Sequence, residues 1–158
     1  KRFLNFYLIT GLGALALQLL VQSFEVYSIT GSAVNNGSFM VDSLKRTISF
    51  NPDLISQEQA STLLGIYLTP MVGASGAIFG LLIAFGMLFP NAELFIMFIP
   101  VPVKAKYIIP VYVILELFLG VKQFSGDSVA HFAHLGGALF GFILVKMWHL
   151  KRHDNFYE

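Results

Sequence analysis

A serine and a histidine in two glycine-rich segments have the residue types that nucleophilic catalysis requires. Ser75 lies in a Gly-Ala-Ser-Gly motif (73–76), and His134 lies in an Ala-His-Leu-Gly-Gly motif (133–137). A serine hydroxyl is a poor nucleophile until a base removes its proton, and histidine is the side chain most often used as that base. The pair therefore predicts acyl-transfer chemistry, with Ser75 as nucleophile and His134 as general base.

Both residues occupy equivalent places in two apolar segments. Ser75 lies fifteen residues before Pro90, where its segment ends, and His134 lies fifteen residues before His149. Because each residue adds the same rise to a helix, the two side chains are expected at the same depth. Each would then lie near the start of a helix, and the two helices could be neighbours.

Glycines beside both residues favour close packing of these helices. Such Gly-x-x-x-Gly pairs leave a flat helix face that another backbone can approach closely. One pair is found in each segment: Gly76 with Gly80, and Gly137 with Gly141. The free backbone N–H groups at the start of the Ser75 helix, around Gly73 and Gly76, could also stabilise an oxyanion.

The same residues allow two other interpretations. Ser75 could be a small packing residue, since serine is common where membrane helices meet. His131 and His134 have an i, i+3 spacing that could suit a metal, but no third ligand lies nearby in the sequence and the zinc-protease motif is missing. We expect no metal and no cofactor. His131 is predicted to line the entrance of the site or to pair with Asp127, four residues earlier, which is too far from His134 to complete a triad.

The elements that hold these residues are predicted to be membrane helices. Of the 158 residues, 56% are hydrophobic and 12% are charged, whereas about 25% are charged in soluble proteins. A lipid bilayer is the simplest partner for so much apolar surface. The formal net charge of +1 gives no reason to expect nucleic acid as a partner.

Four segments are predicted to cross the membrane as one domain spanning residues 1–158. The sequence therefore predicts an all-α, polytopic helix bundle, with spans at about 3–24, 71–89, 103–121 and 128–149. The apolar run Leu94–Val101 is too short to cross and is predicted to be an interfacial or re-entrant segment. Glu116 is the one acid within a span. Although an intramembrane carboxylate is a candidate functional group, we favour a buried structural role, protonated or hydrogen-bonded.

Charge predicts the orientation of the bundle. The connection 25–70 is polar, has turn residues at 32–38 and a predicted short helix at 56–67, and is placed outside the cytoplasm. The positive-inside rule assigns the opposite connections to the cytoplasm, because they carry the basic residues Lys1, Arg2, Lys104, Lys106, Lys146, Lys151 and Arg152. Ser75 and His134 would then both lie toward the non-cytoplasmic side.

The two motifs resemble the signature of the rhomboid proteases. In that family Gly-x-Ser-Gly opens one membrane helix, and Ala-His-x-x-Gly-x-x-x-Gly lies in the last. The resemblance covers essentially the whole chain and implies a Ser75–His134 dyad without an aspartate. It also implies that Phe79, one turn after Ser75, packs against the catalytic histidine, at a position that is often Tyr in the family.

One departure from the family concerns the oxyanion hole. The family has a six-helix core, and its second helix supplies a His and an Asn that complete this hole. The present chain is expected to begin at the third of the six helices, and none of its four histidines precedes position 131. We expect the isolated segment to be inactive and the intact protein, with two further spans before Lys1, to be active.

Two classes of function fit these observations. The first is an intramembrane serine endopeptidase that cleaves peptide bonds in or near the transmembrane segments of other membrane proteins. The alternative is a non-catalytic, rhomboid-like protein that binds membrane helices, although such pseudoproteases lose the serine or the histidine and this chain keeps both. The protein is expected to be a multi-pass protein of a prokaryotic inner (plasma) membrane.

Overall fold

The computed structural model is mostly helical and describes residues 1–32, 37–68, 74–96, 99–122 and 130–151. Its helices are α1 (Arg2–Thr30), α2 (Gln57–Leu68), α3 (Ala74–Leu88), α4 (Ala105–Lys122) and α5 (His131–Met147). Its strands are β1 (Phe39–Asp42), β2 (Thr47–Phe50), β3 (Glu93–Ile96) and β4 (Ile99–Lys104). The chain divides into two compact units, one of residues 1–18 with 72–158 and the other of residues 19–71. Ser75 and His134 both belong to the first unit.

The helices differ at several ends from the predicted spans. The sequence places the end of the first span at residue 24, but α1 continues to Thr30 and stops at Gly31, whose φ of 72° is left-handed. The Gly31 N–H donates to the Tyr27 carbonyl over 2.8 Å, and this closes the helix. Glu25 therefore lies within the helix, where its side chain is half-buried. The predicted starts of the second and fourth spans, 71–73 and 128–129, lie outside the described residues, as do Gly73 and Asp127.

Length and apolar character distinguish the helices. Within the described residues, α1 is the one helix that is both long and apolar enough to cross a membrane. The helices α3 and α5 are apolar but shorter, with 15 and 17 residues. The crossing of a bilayer by four spans thus stays a prediction from the sequence.

The described residues of the segment predicted to be interfacial or re-entrant, 94–96 and 99–101 of Leu94–Val101, lie in a pair of antiparallel strands. Glu93 is opposite Lys104, and Leu94 is opposite Val103. Pro100 in the run and Pro102 just after it lack the N–H groups that a helix would need, whereas an extended pair can satisfy its backbone between strands. The paired opposite charges at the ends add to this arrangement. The third predicted span, placed at 103–121, consequently begins later, at Ala105. The mostly helical structure fits the predicted all-α fold, with short strand pairs in its connections.

Glycines, which have no Cβ atom, allow α3 to pack closely against α5. A Cβ on Gly137 would collide with the carbonyl group of Gly76, and a Cβ on Gly141 would lie 2.5 Å from the carbonyl oxygen of Gly80. Because successive glycines of α3 meet successive glycines of α5, the two helices run in the same direction. Their N-terminal ends, which carry Ser75 and His134, lie together.

The first part of α1 packs against both of these helices. A Cβ on Gly80 would lie 2.5 Å from the Cβ of Thr10, and a Cβ on Gly136 would lie 2.9 Å from the Cα of Ala14. Thr10 is fully buried, and its hydroxyl lies 2.9 Å from the Phe6 carbonyl oxygen, an acceptor within its own helix. A polar side chain is thus accommodated between helices without an unsatisfied group.

The second compact unit, residues 19–71, contains the polar connection predicted at 25–70 and has a core of its own. Phe39, Ile55 and Leu63 are almost fully buried there, between the β1–β2 pair and α2. The start of α2 has reciprocal caps: the Gln59 N–H donates to the Ser56 hydroxyl over 3.2 Å, and the Ser56 N–H donates to the Gln59 side-chain oxygen over 2.9 Å. Such a capping box fixes the first turn of a helix.

Replacement of Gly137 by alanine should destabilise the protein. The new methyl group would meet the Gly76 backbone, which cannot move aside as a flexible side chain can. Overpacking typically costs about 1–3 kcal/mol, and we expect the upper part of that range or more. The measurement is thermal unfolding of the full-length protein in detergent.

Gly65→Ala is the matched control for this prediction. Gly65 lies within α2 with no atom within 4 Å of the added Cβ, so alanine should leave the stability unchanged or raise it by up to about 1 kcal/mol. Equal effects of the two substitutions would show that close helix contact does not depend on Gly137.

Candidate active site

Ser75 and His134 lie at the adjoining N-terminal ends of α3 and α5. Ser75 is exposed in the first turn of α3, and His134, at 9% exposure, is buried in the first turn of α5. A Cβ on Gly76 would lie 3.0 Å from the carbonyl oxygen of Ala133. Because Gly76 follows Ser75 and Ala133 precedes His134, this contact brings the two backbone segments together. The helix start also provides N–H groups without partners in the helix.

The His134 ring lies in a stack of three rings. Phe79 lies parallel to it, with ring centroids 4.2 Å apart and planes 7° apart. On its other side Phe79 stacks on Tyr112 of α4, with centroids 5.3 Å apart. Phe79 is itself buried, at 7% exposure. The stack therefore restrains the plane of the imidazole, and Tyr112 is a contributor that the sequence motifs do not indicate.

Glu116 of α4 contacts both histidines at the start of α5. One of its carboxylate oxygens, Oε2, lies 3.0 Å from Nδ1 of His134 and 2.6 Å from Nδ1 of His131. All three side chains are buried. The pairing predicted for His131, with Asp127, falls outside the described residues, and the structure gives His131 a contact with Glu116 instead. The packing of α4 on α5 brings together residues fifteen or more positions apart, which sequence spacing does not reveal.

The same three side chains include the donor types that bind metals. Their donor atoms lie within 4.8 Å of one another, so the third ligand missing from the local sequence is supplied by α4. The observed N···O distances of 2.6 and 3.0 Å are hydrogen-bond distances. They are shorter than the separation of about 3.3 Å between two ligands that each lie about 2.0 Å from a tetrahedral zinc ion. The arrangement therefore fits direct hydrogen bonds better than a metal site.

Gly120 explains how His131 can lie so close to α4. It lies one turn after Glu116, and a Cβ on it would lie 3.1 Å from the Cβ of His131. A larger residue would push the start of α5 away from the Glu116 carboxylate. The small residue thus supports the contact between Glu116 and the two histidines.

The structure brings most of the predicted site residues together. Around the junction of α3 and α5 it places Ser75, Gly76, Phe79, Gly80, His134, Gly137 and Gly141. Gly73 lies outside the described residues. Glu116, to which the sequence analysis gave a structural role, lies in direct contact with the predicted base.

The comparisons with known proteins agree with this architecture. The Rhomboid domain family matches residues 1–151, so the chain belongs to the rhomboid family. The resemblance expected from the motifs is confirmed, and family membership identifies a membrane protein. No solved structure matches this chain significantly.

A relative in fission yeast supports the same family. It is a Schizosaccharomyces pombe protein described as an uncharacterized mitochondrial rhomboid protein, 37% identical over 86 residues. The match covers 51% of this chain and 22% of that protein, so the chain spans a minor part of the relative's length. This mitochondrial relative gives no support to the expected prokaryotic inner membrane.

Replacement of Phe79 by leucine should loosen the His134 ring. Leucine keeps apolar bulk but removes two aromatic contacts, each worth about 0.5–1.5 kcal/mol. We expect the free energy of unfolding to fall by about 1–3 kcal/mol. Cleavage of a transmembrane substrate, the activity predicted from the sequence, should fall by about 10–100-fold in the full-length protein, because a displacement of about 1 Å can cost 10²-fold.

Phe85→Leu makes the same chemical change further along α3. Phe85 contacts Phe89 with ring centroids 5.6 Å apart and planes tilted by 39°, and it lies nearly two turns after Phe79. Its turnover should stay at the wild-type level. Equal turnover of the two leucine variants would contradict a role for the Phe79 ring in holding His134.

Proposed function

We propose that this chain carries the catalytic serine and histidine of an intramembrane serine endopeptidase. The observation that supports this most directly is the parallel contact of α3 and α5, in which the residue after Ser75 lies against the residue before His134. Membership of the rhomboid family supports the protease class. The stack of Phe79 on His134 agrees with a base that is held in one orientation.

Ser75 and His134 act in two half-reactions. In the first, the Ser75 oxygen attacks the carbonyl carbon of a substrate peptide bond while His134 takes the hydroxyl proton. The tetrahedral intermediate collapses as the C–N bond breaks and His134 returns that proton to the leaving amine. In the second, His134 takes a proton from water, the resulting nucleophile attacks the acyl ester, and the proton returns to Ser75 as the carboxylic product leaves.

The N-terminal end of α3 is suited to the oxyanion that forms in both half-reactions. Backbone N–H groups without helical partners and the positive end of the helix dipole lie there. Such preorganised donors often make the largest contribution to this chemistry. We propose the backbone beside Ser75, including Gly76, as one part of the oxyanion site.

The proposed substrates are other membrane proteins, cleaved in or near a transmembrane segment. Many large apolar side chains of α1, α4 and α5 are exposed in the chain, as is expected of surfaces that face lipid or another helix. A substrate helix must open locally, because its hydrogen-bonded carbonyl groups are otherwise hidden from Ser75. A mitochondrial membrane is proposed as the location, because the fission-yeast relative is described as mitochondrial.

Substitution of either proposed catalytic residue tests this function. In the full-length protein, Ser75→Ala and His134→Ala should each lower cleavage of a transmembrane substrate by about 10⁴-fold or more, because each removes a participant in the covalent step. Initial rates of product formation in proteoliposomes give the measurement.

Ser61→Ala provides the matched control. Ser61 is an exposed serine of α2 whose hydroxyl donates to the Glu58 carbonyl oxygen over 2.6 Å, and it belongs to the compact unit that does not contain Ser75 and His134. Its variant should cleave at the wild-type rate. If Ser75→Ala and His134→Ala retain cleavage as well, the protease assignment is wrong and the non-catalytic, helix-binding alternative is favoured.

A further inference from the structure

We propose that Glu116 is a positioning residue that holds His134 in the tautomer and orientation needed for a general base. The inference rests on the proposed protease function and extends it from a dyad to a Ser75–His134–Glu116 arrangement. It is carried by the distance of 3.0 Å between Glu116 Oε2 and His134 Nδ1, within a buried environment.

The tautomer of His134 follows from this contact. A neutral imidazole has one N–H, on either Nδ1 or Nε2, and the hydrogen bond made by one nitrogen decides the state of the other. When Nδ1–H of His134 donates to the Glu116 carboxylate, the lone pair lies on Nε2. Nε2 is then the atom that accepts the Ser75 proton. The carboxylate also stabilises the imidazolium that forms during the reaction, as a buried aspartate does in serine-protease triads.

Two helices together restrain the His134 ring. The Phe79 ring of α3 lies parallel to it and fixes the ring plane. The Glu116 carboxylate of α4 selects one of the two flipped orientations of the ring, because the other orientation would lose the hydrogen bond to Nδ1. Neither contact alone determines the orientation. The imidazole therefore reaches the reaction already oriented, which avoids the cost of ordering it in the transition state.

His131 offsets the unfavourable free energy of burying the Glu116 carboxylate within the bundle. Glu116 is only 5% exposed, and a buried carboxylate is unfavourable unless it is hydrogen-bonded. The Nδ1 of His131 lies 2.6 Å from the same oxygen and supplies a second donor. An ionised carboxylate satisfies both contacts at once by accepting an N–H from each histidine.

The test is Glu116→Gln in the full-length protein, which keeps the side-chain size and removes the carboxylate. An amide can donate to Nδ1 and so favours the tautomer with its proton on Nε2. We expect kcat to fall by about 10²–10⁴-fold, as when the orienting aspartate of a triad becomes asparagine. KM should change little, because Glu116 is only 5% exposed and is proposed to act through His134. Glu58→Gln, the same change on the exposed first turn of α2, should leave both constants unchanged.

Nitrogen-15 NMR of histidine-labelled protein reports which ring nitrogen of His134 carries the proton, a property that is distinct from the stability of the protein. In the wild type, the His134 signals should be those of an imidazole protonated on Nδ1, and in Glu116→Gln they should move toward the Nε2–H form. The wild-type spectrum needs no variant, so the proposal stays testable if Glu116→Gln does not fold. A wild-type His134 protonated on Nε2 would overturn it.

The outcome separates this proposal from the proposed function. If the wild type cleaves substrate in a manner that needs Ser75 and His134, while Glu116→Gln keeps the wild-type kcat, the positioning role alone is wrong. If Ser75→Ala cleaves as well as the wild type, the protease function is wrong and the role of Glu116 falls with it.

Discussion

The close approach of two parallel helix backbones is the constraint on which the rest of the site depends. Gly76 and Gly80 of α3 meet Gly137 and Gly141 of α5 with no room for a Cβ between the pairs. Small residues of this kind are the usual means of association in lipid, where burial of apolar groups provides little driving force. The contact holds the starts of both helices at one level. It thereby turns two residues distant in sequence into neighbours.

The polar groups at this junction form a connected set within a mostly apolar bundle. The Glu116 carboxylate joins α4 to α5 through two histidines, while the Phe79 ring joins α3 to His134. Burial makes each hydrogen bond stronger and makes an unpaired member costly, so such a set favours one arrangement of its members. The same contacts that satisfy a buried carboxylate also orient the proposed base. Stability and catalysis therefore place similar demands on these residues.

Much of this arrangement could be predicted from local sequence. The Gly-x-x-x-Gly spacing indicates which helix faces touch, and the equal distances of Ser75 and His134 from their segment ends indicate a shared level. The partner of His131 and His134 could not be found in this way, because Glu116 reaches them only through the packing of α4 on α5. The β3–β4 pair could not be predicted, because a short apolar run with one proline inside it and one just after it lacks a clear period, and local sequence does not show which strand will pair with it. The periodicity of apolar residues indicates which face of a helix or strand is buried. Contacts between elements distant in sequence depend on tertiary packing, which periodicity does not show.

The most direct test of the account is whether the Ser75 hydroxyl is activated by His134. The measurement is the rate at which a fluorophosphonate labels the full-length protein, with the modified residue located by mass spectrometry. Ser75 is expected to be the single modified serine, and its labelling should be lost in His134→Ala. Labelling of Ser75 at the same rate without His134, or modification of another serine in its place, would contradict it.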